Sequence, residues 1–212
     1  MVEYWYVKIR KRRNIMIVLF GLAGSGKGTQ GKALSEIFGW RWLSVGEVIR
    51  RTGEYKELTD SGKLIPNEDV IRLMNRQIEK AEKEGFEVIL DGYPRNIPQA
   101  EYIINNMVSK INGAIMLDVP KEELLERLAL RGRDDDKERE SIERRFKVFE
   151  ENIPVILRMF EEAGIAVAHV DGVGAVGEVT DRLVEAVEQL DPEAKEQNDD
   201  VNGGEIEHSY GE

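Results

Sequence analysis

The stretch Ile15–Gln30, IMIVLFGLAGSGKGTQ, joins an apolar run to a glycine-rich loop and then to the beginning of a helical pattern. The apolar run, Ile15–Phe20, predicts a buried strand. The loop matches the phosphate-binding pattern G-x-x-x-x-G-K-[ST] at Gly21, Gly26 and Lys27. It departs from the pattern at Gly28, where a hydroxyl would hold Mg²⁺ directly, and Thr29 supplies the first hydroxyl one residue later.

A strand, a glycine loop and a helix in this order are the setting in which such a loop binds phosphate. The backbone N–H groups of successive loop residues form an anion-binding concavity, and the beginning of the helix adds partial positive charge. The residues predicted to surround the phosphates are Gly24, Ser25, Gly26, Lys27, Gly28 and Thr29. Among them, Lys27 is expected to reach the outer phosphates.

Short apolar runs alternate with helical patterns along the rest of the chain. The runs that predict strands are Ile15–Phe20, Trp42–Val45, Glu87–Leu90, Ala114–Val119 and Ile165–Val170. Strands that alternate with helices predict an α/β fold, a five-stranded parallel sheet with helices on both faces. One helix is expected to begin with Asn67 as its N-cap, and another follows the apolar seam between Ser141 and Ala163.

Composition indicates one compact domain that needs neither disulfides nor thiolate ligands. The 212 residues are 41% hydrophobic and include no cysteine, which excludes disulfides and cysteine zinc sites. The longest apolar run, Ile15–Phe20, is too short to cross a bilayer, and no signal-length apolar segment follows the basic stretch Lys8–Arg13. We therefore expect a cytoplasmic protein with no membrane partner.

Charge is concentrated at the two ends of the chain. Residues 1–14 carry a net charge of +4 and residues 191–212 a net charge of −7, out of a total of −11. This divides the sequence into a basic extension (1–14), a catalytic domain (15–190) and an acidic tail (191–212) whose composition predicts disorder. The body is mildly acidic, which makes nucleic acid an unlikely partner.

The loop form Gly-Lys-Gly-Thr-Gln resembles that of the nucleoside monophosphate kinases of the adenylate kinase family, and the resemblance extends over roughly Met16–Leu190. It implies a P-loop NTPase-type sheet with a small acceptor-binding region at about 44–84 and a short lid at about 131–142. It also implies ATP and Mg²⁺ as cofactors, with the ion carried mainly by phosphates and water, so that a hydroxyl directly after Lys27 is dispensable.

Three segments resemble the acceptor side of that family. In LSVGEVIRR (Leu43–Arg51), Arg50 takes the place of an arginine on the acceptor phosphate, Glu47 lies near the water shell of the metal, and Val45 stands where adenylate kinases usually have Thr. In GKLIPNEDVI (Gly62–Ile71) the resemblance places Lys63, Leu64 and Ile65 at the acceptor base.

The third segment, LDGYPRNIPQAE (Leu90–Glu101), ends an apolar strand with a polar loop. Asp91 closes the strand and is expected to hold Mg²⁺ through water. Arg95 offers a bidentate fork for phosphate, and Gln99 matches the family's adenine-pairing glutamine. The substrate-binding residues assigned to this segment are Gly92, Tyr93, Pro94, Arg95 and Gln99.

An arginine-rich segment follows between Arg127 and Arg145. Arg127 and Arg131 share one helix face, which lets one stack on a base while the other holds a phosphate. The resemblance implies that Arg133 and Arg145 close over the transferred phosphoryl group. Arg145 is chosen over Arg144 because it flanks the apolar seam. On the ATP side, Gly174 is also assigned to the bound nucleotide.

Taken together, the motifs predict reversible phosphoryl transfer from MgATP to AMP by a monomer, with Lys27, Arg95, Arg131, Arg133 and Arg145 as catalytic residues. Two alternatives stay open. The string RGRDDDKERESIERR is also close to that of UMP/CMP kinases, and the basic stretch Lys8–Arg13 is compatible with a nucleotide-dependent regulatory or RNA-binding protein.

Overall fold

The computed structural model describes residues 15–55, 65–131 and 139–194, with the side chains of Arg131 and Ser141 left out. Several sequence predictions lie outside this part of the chain: the basic extension, Lys63, Leu64, Arg133, most of the lid, and the tail beyond Ala194.

Five strands form one parallel sheet, which confirms the predicted fold class. They are β1 (Met16–Phe20), β2 (Arg41–Ser44), β3 (Val88–Asp91), β4 (Ile111–Asp118) and β5 (Val167–Asp171), and their order across the sheet is β2-β3-β1-β4-β5. In the register of the sheet, Asp91 lies opposite Leu19 of β1 and Ser44 of β2. The carboxyl ends of the three strands therefore meet at one edge, where open α/β sheets bind ligands.

The helices connect these strands and cover both faces. They are α1 (Lys27–Phe38), α2 (Val45–Thr52), α3 (Asn67–Glu84), α4 (Ile97–Met107), α5 (Lys121–Arg131), α6 (Arg139–Glu162) and α7 (Val176–Leu190), with a short 3₁₀ turn at Val108–Lys110.

Alternate residues of β1 enter two different core layers. Val18 and Phe20 pack with α3, α4 and α6, and the ring of Phe20 meets that of Phe160 edge-on at a centroid distance of 5.7 Å. Ile17 and Leu19 pack with α1 and α7 on the opposite face. Since successive side chains of a strand point to opposite faces, the apolar run Ile15–Phe20 is buried from both sides and fixes β1 at the centre of the sheet.

Two boundaries differ from the sequence predictions. The N-cap of α3 is Pro66, and Asn67 is the first helical residue, so the prediction that Asn67 caps the helix is wrong; its side chain instead accepts hydrogen bonds from Asn96, the N-cap of α4, and from Gln99 in the first turn of α4. Asp191 and Ala194 are buried, and Ala194 packs in the core layer of α1 and α7. The packed chain thus reaches four residues beyond Leu190, where the composition turns acidic.

Candidate active site

The phosphate loop occupies the carboxyl end of β1. Gly24 and Gly26 adopt positive φ angles of 89° and 98°, a conformation that suits glycine. A Cβ at Gly24 would stand 3.0 Å from the backbone oxygen of Leu124 and 3.0 Å from Cγ of Leu128. Backbone angle and close packing against α5 together require glycine at this position. Gly28 meets no such contact, and Thr29 is exposed at the first turn of α1.

Lys27 folds its side chain back onto the loop. Its ammonium group donates to the carbonyl oxygens of Gly21 at 2.6 Å and Leu22 at 2.8 Å, and it lies 3.4 Å from Oγ of the buried Ser25. The positive charge of Lys27 is thus held next to the first residues of the loop. An anionic ligand would meet that charge together with the N-terminal amides of α1.

Gln30, which the sequence analysis assigned no role, joins the beginning of α1 to that of α7. It is buried, its Nε2 donates to the Val176 carbonyl at 3.1 Å, and its Oε1 accepts from the Thr180 hydroxyl at 2.8 Å. These contacts span about 150 positions of sequence, so no local pattern could have indicated them.

Arg127 connects the phosphate loop to the end of β5. Its guanidinium donates to the carbonyl of Ser25 at 3.4 Å and to that of Gly172 at 3.1 Å, while Nε is paired with Glu123 at 2.9 Å. Arg127 therefore borders the loop on one side and the β5–α7 connection on the other. Of its predicted companion, Arg131, the structure describes only the backbone at the end of α5.

The β5–α7 connection contains Gly174 at a φ of 129°. A Cβ there would stand 2.6 Å from Oε2 of Glu178 and 2.9 Å from a guanidinium nitrogen of Arg182. Arg182 donates to the carbonyls of Asp171 and Val173, which ties the connection to α7. Arg182 also pairs with the Asp171 carboxylate at 3.3 Å, and no local pattern in the sequence indicated these contacts, since Asp171 and Val173 lie outside α7.

The acceptor side is built around the end of β3. Asp91 is buried, with 6% of its surface exposed, and Gly92 follows with a φ of 69°. A Cβ on Gly92 would lie 3.3 Å from a guanidinium nitrogen of Arg95 and 3.5 Å from a methyl of the buried Val45. The chain thus brings Val45, from the beginning of α2, next to the loop that carries Arg95.

Arg95 lies within electrostatic range of Asp91, Arg50 and Arg145. The pKa of Arg95 is lowered, first by the protein that surrounds its guanidinium, with further lowering by the charges of Arg50 and Arg145, while Asp91 acts in the opposite direction. Arginine remains charged at any physiological pH, so Arg95 is repelled by two nearby cations and attracted by one carboxylate. The repulsion is relieved when an anion binds among the arginines. The surrounding protein leaves Arg95 as a whole exposed to solvent, so such an anion can reach it.

The burial of the neighbouring arginines agrees with the predicted seam of α6. Arg145 is half-buried beside the buried Phe146, whereas Arg144 is exposed. On α2, Arg50 lies against Gly46, with 3.3 Å between one of its guanidinium nitrogens and the position of a Cβ there.

Glu47 lies at the beginning of α2, and its carboxylate is 3.9 Å from the ammonium group of Lys32. Lys32 in turn stands 5.1 Å from the centre of the Trp42 ring. Among the described residues, no group of three or more His, Cys, Asp or Glu side chains could hold a metal ion alone.

Gln99 is buried at the beginning of α4 and makes two side-chain hydrogen bonds. Its Oε1 accepts from the backbone N–H of Arg95 at 2.9 Å, and its Nε2 donates to Oδ1 of Asn67 at 2.9 Å. Asn67 Oδ1 also accepts from Nδ2 of Asn96, at 2.8 Å. The sequence analysis assigned no site role to Asn67 or Asn96, since their pairing joins segments that are about 30 residues apart.

Tyr93, in the loop after β3, is fully buried, and its hydroxyl has no hydrogen-bond partner within the described ranges. Burial raises the pKa of Tyr93, and Tyr102 adds to the shift. Pro94, which follows a cis peptide bond, is buried as well, and Ile65 packs at the margin of the same core layer.

In residues 15–55, 65–131 and 139–194, no helix has the length and apolar character needed to cross a bilayer.

Comparison with known proteins gives consistent matches. The family model described as adenylate kinase matches residues 19–165. The chain is 33% identical to an adenylate kinase from Methanothrix thermoacetophila, an alignment that covers 79% of this chain and 95% of the relative. It is 35% identical to the adenylate kinases of Nocardia farcinica (81% of this chain, 98% of the relative) and Phocaeicola vulgatus (82% and 98%).

Proposed function

The chain belongs to the adenylate kinase family, which transfers a phosphoryl group reversibly between ATP and AMP, and we propose that the residues described above carry out this transfer. The observation that supports this assignment most directly is the approach of Arg95 and Val45 to Gly92, directly after the buried Asp91, with Arg50 and Arg145 within electrostatic range of Arg95. These residues come from α2, β3, the loop after β3, and α6, and β3 pairs with β1, the strand that leads into the phosphate loop.

We assign the donor side to the loop residues Gly24 to Thr29, with Arg127, Arg131 and Gly174 around the rest of the nucleotide. Lys27 exchanges the carbonyls of Gly21 and Leu22 for phosphate oxygens when ATP binds. Backbone N–H groups and the N-terminus of α1 complete the anion site. Arg127 borders the loop through its hydrogen bond to the Ser25 carbonyl, which supports its assignment to the part of the nucleotide outside the phosphates.

We assign the acceptor phosphate to Arg50 and Arg95, and the transferred phosphoryl group to Arg145 together with Arg133. Phosphoryl transfer requires positioning and charge neutralisation more than covalent chemistry from the protein. Arg95 and the two arginines that repel it supply that charge before substrate arrives, which is the arrangement that preorganised electrostatic catalysis needs. The acceptor base is assigned to Gln99, with Val45, Lys63, Leu64, Ile65, Gly92, Tyr93 and Pro94 around it.

Mg²⁺ fits the donor atoms at the end of β3. Asp91 presents a buried carboxylate, an oxygen ligand of the kind that Mg²⁺ prefers, and Glu47 supplies another at the beginning of α2. We propose that both hold the ion through water while the nucleotide phosphates coordinate it. When bound, the ion neutralises charge on the phosphates. The predictions of a monomer and of a cytoplasmic location stay predictions.

Initial rates with AMP, CMP, UMP and dAMP as acceptors, each with ATP and Mg²⁺, test the assignment. AMP is expected to give the highest kcat/KM, and Arg95→Ala is expected to lower that value by roughly 10²-fold or more, since it removes a phosphate fork from the transition state. A preference for CMP or UMP would instead favour the UMP/CMP kinase alternative. The observation that supports this alternative is Val45, which has no hydroxyl where adenylate kinases usually have Thr. Near-normal transfer by Arg95→Ala would contradict the acceptor-site assignment.

A further inference from the structure

The side-chain amide of Gln99 lies in a chain of hydrogen bonds that also includes the amides of Asn67 and Asn96. At one end, the backbone N–H of Arg95 donates to Oε1 of Gln99 at 2.9 Å. At the other end, the backbone N–H of Gln99 donates to Oδ1 of Asn96 at 3.2 Å. Between these ends, Oδ1 of Asn67 accepts from both Gln99 Nε2 and Asn96 Nδ2.

The two backbone donors determine the orientation of all three amides. A backbone N–H can only donate, so it requires an oxygen of Gln99 at one end and an oxygen of Asn96 at the other. Both remaining NH₂ groups then face Asn67, which must present its oxygen to them. Rotating any one amide by 180° would bring two donors or two acceptors together. The polarity of Gln99 is therefore fixed in the folded chain.

Within the described part of the chain, the two bonds that the side-chain amide of Gln99 makes leave it one N–H and one oxygen lone pair. A base that pairs with both must offer a ring acceptor to the N–H and an amino donor to the oxygen. Adenine (N1 and the 6-amino group) and cytosine (N3 and the 4-amino group) have this pattern. Uracil and guanine carry a ring N–H beside a carbonyl oxygen, which is the opposite pattern, and would leave both pairs of groups mismatched.

We propose that Asn67 is a positioning residue that, together with the backbone N–H of Arg95, fixes the polarity of Gln99 and so selects acceptor nucleotides whose base has an amino group beside a ring acceptor and rejects those with an oxo group beside a ring N–H. The proposal rests on the proposed function, since it assumes that the acceptor base meets Gln99. Asn67 acts through Gln99 and is not itself a catalytic residue. Rejection of the wrong base follows from the cost of leaving polar groups unpaired.

Asn67→Ala tests the proposal because it removes the acceptor for Gln99 Nε2. Rotation of the Gln99 amide by 180° then breaks only the bond from the Arg95 N–H, whereas in the unsubstituted protein it breaks two bonds. We expect the ratio of kcat/KM for AMP to that for UMP to fall by roughly tenfold, with KM for AMP raised about fivefold and kcat within about twofold. KM for ATP should not change. Asn67→Asp keeps an oxygen for both donors and is expected to rescue the ratio.

Asn106→Ala serves as the matched control, because Asn106 is exposed and bonds only to the Tyr102 carbonyl of its own helix in the described structure. If Asn67→Ala leaves the AMP-to-UMP ratio unchanged while the unsubstituted protein is active, the positioning role is overturned. If Asn67→Asp fails to rescue the ratio, the positioning role is also overturned, because an acceptor oxygen at this position would then not determine the base selectivity. Absence of AMP-dependent ADP formation by the unsubstituted protein would instead contradict the proposed function.

Discussion

The ammonium group of Lys27 lies 2.6 Å from the carbonyl oxygen of Gly21, at the opposite end of the same loop. In this arrangement the ammonium group neutralises part of the carbonyl dipoles, and in the proposed function phosphate oxygens replace these carbonyls when ATP binds. Lys27→Met keeps the length of the side chain and removes the charge. We expect kcat/KM for ATP to fall on the order of 10²- to 10³-fold. Steady-state kinetics test this, and a loss of less than about threefold would show that Lys27 does not contact the transferred group.

Adjacent arginines of α6 provide a matched pair. Arg145 is half-buried and within electrostatic range of Arg95, whereas Arg144 is exposed. We expect Arg145→Ala to lower kcat by roughly 10²-fold or more and Arg144→Ala to change it by less than about twofold, because only Arg145 is assigned to the transferred phosphoryl group. Equal losses in the two variants would contradict the assignment.

Glycine is required at Gly24 and not at Gly177, which is the basis of a second matched pair. Gly24→Ala places a Cβ 3.0 Å from the Leu124 carbonyl at a positive φ, so we expect it to lower the free energy of unfolding by roughly 1–3 kcal/mol and to weaken ATP binding. At Gly177, in the first turn of α7, a Cβ meets nothing within 4 Å. Gly177→Ala is expected to raise the free energy of unfolding by about 0.5 kcal/mol.

Denaturant titrations of both glycine variants measure these changes. Nucleotide binding to Gly24→Ala can be measured by the shift in Tm with ATP. An alanine at Gly24 without effect on either quantity would mean that the loop adapts to the added methyl group.

The buried hydroxyl of Tyr93 makes stability depend on alkaline pH. The pKa of an unfolded tyrosine is 10.0, and that of Tyr93 in the folded chain lies above it. The stability that this group contributes is therefore present below pH 10 and is lost as the pH rises beyond that value, because the unfolded chain ionises first. Tyr93→Phe is expected to remove this alkaline loss. At neutral pH it should also raise the free energy of unfolding by about 1 kcal/mol, since an unpaired buried hydroxyl is eliminated.

Tyr102→Phe gives the contrasting case. The Tyr102 hydroxyl accepts from Nδ2 of Asn75 at 2.5 Å, so this change leaves a donor unpaired and should lower the free energy of unfolding by roughly 1–2 kcal/mol. Urea unfolding at about pH 7 and about pH 11 compares both variants with the unsubstituted protein. Parallel behaviour of the two variants would contradict the hydrogen-bond assignment.

The five strands were predictable because each is an apolar run long enough to be buried in a parallel sheet. The errors at their ends have local causes. The prediction places the beginning of β4 at Ala114, yet the strand begins at Ile111, because Asn112 and Gly113 interrupt the apolar pattern. Glycine at position 113 leaves room for Leu190, since a Cβ there would stand 2.7 Å from Cδ2 of Leu190.

The beginning of β5 shows the opposite error. The apolar pattern includes Ile165, but its backbone N–H donates to the Phe160 carbonyl at 2.8 Å, and Gly164 has a φ of 80°. Ile165 therefore belongs to the C-terminal cap of α6, and β5 begins at Val167. An apolar residue that closes a helix and one that opens a strand look alike in sequence.

Within the candidate site, the relative burial of two neighbouring residues could be predicted from the sequence because it follows from local periodicity. The greater burial of Arg145 than Arg144 follows from the seam of α6 and is confirmed. The partners of Asn67, Gln30 and Arg127 could not be predicted, because each makes contact with a segment that only tertiary folding brings near.

The buried amide of Gln30 has a consequence for how this enzyme moves. By bonding to Val176 and Thr180, it couples the first turn of α1 to the first turn of α7, so the two turns form a single cooperative unit. Hydrogen-bonded amide protons in these two turns should open to exchange with the same free energy. Under the proposed donor assignment, ATP would therefore bind beside a surface that was already ordered during folding, and opening and closing during turnover would involve other segments.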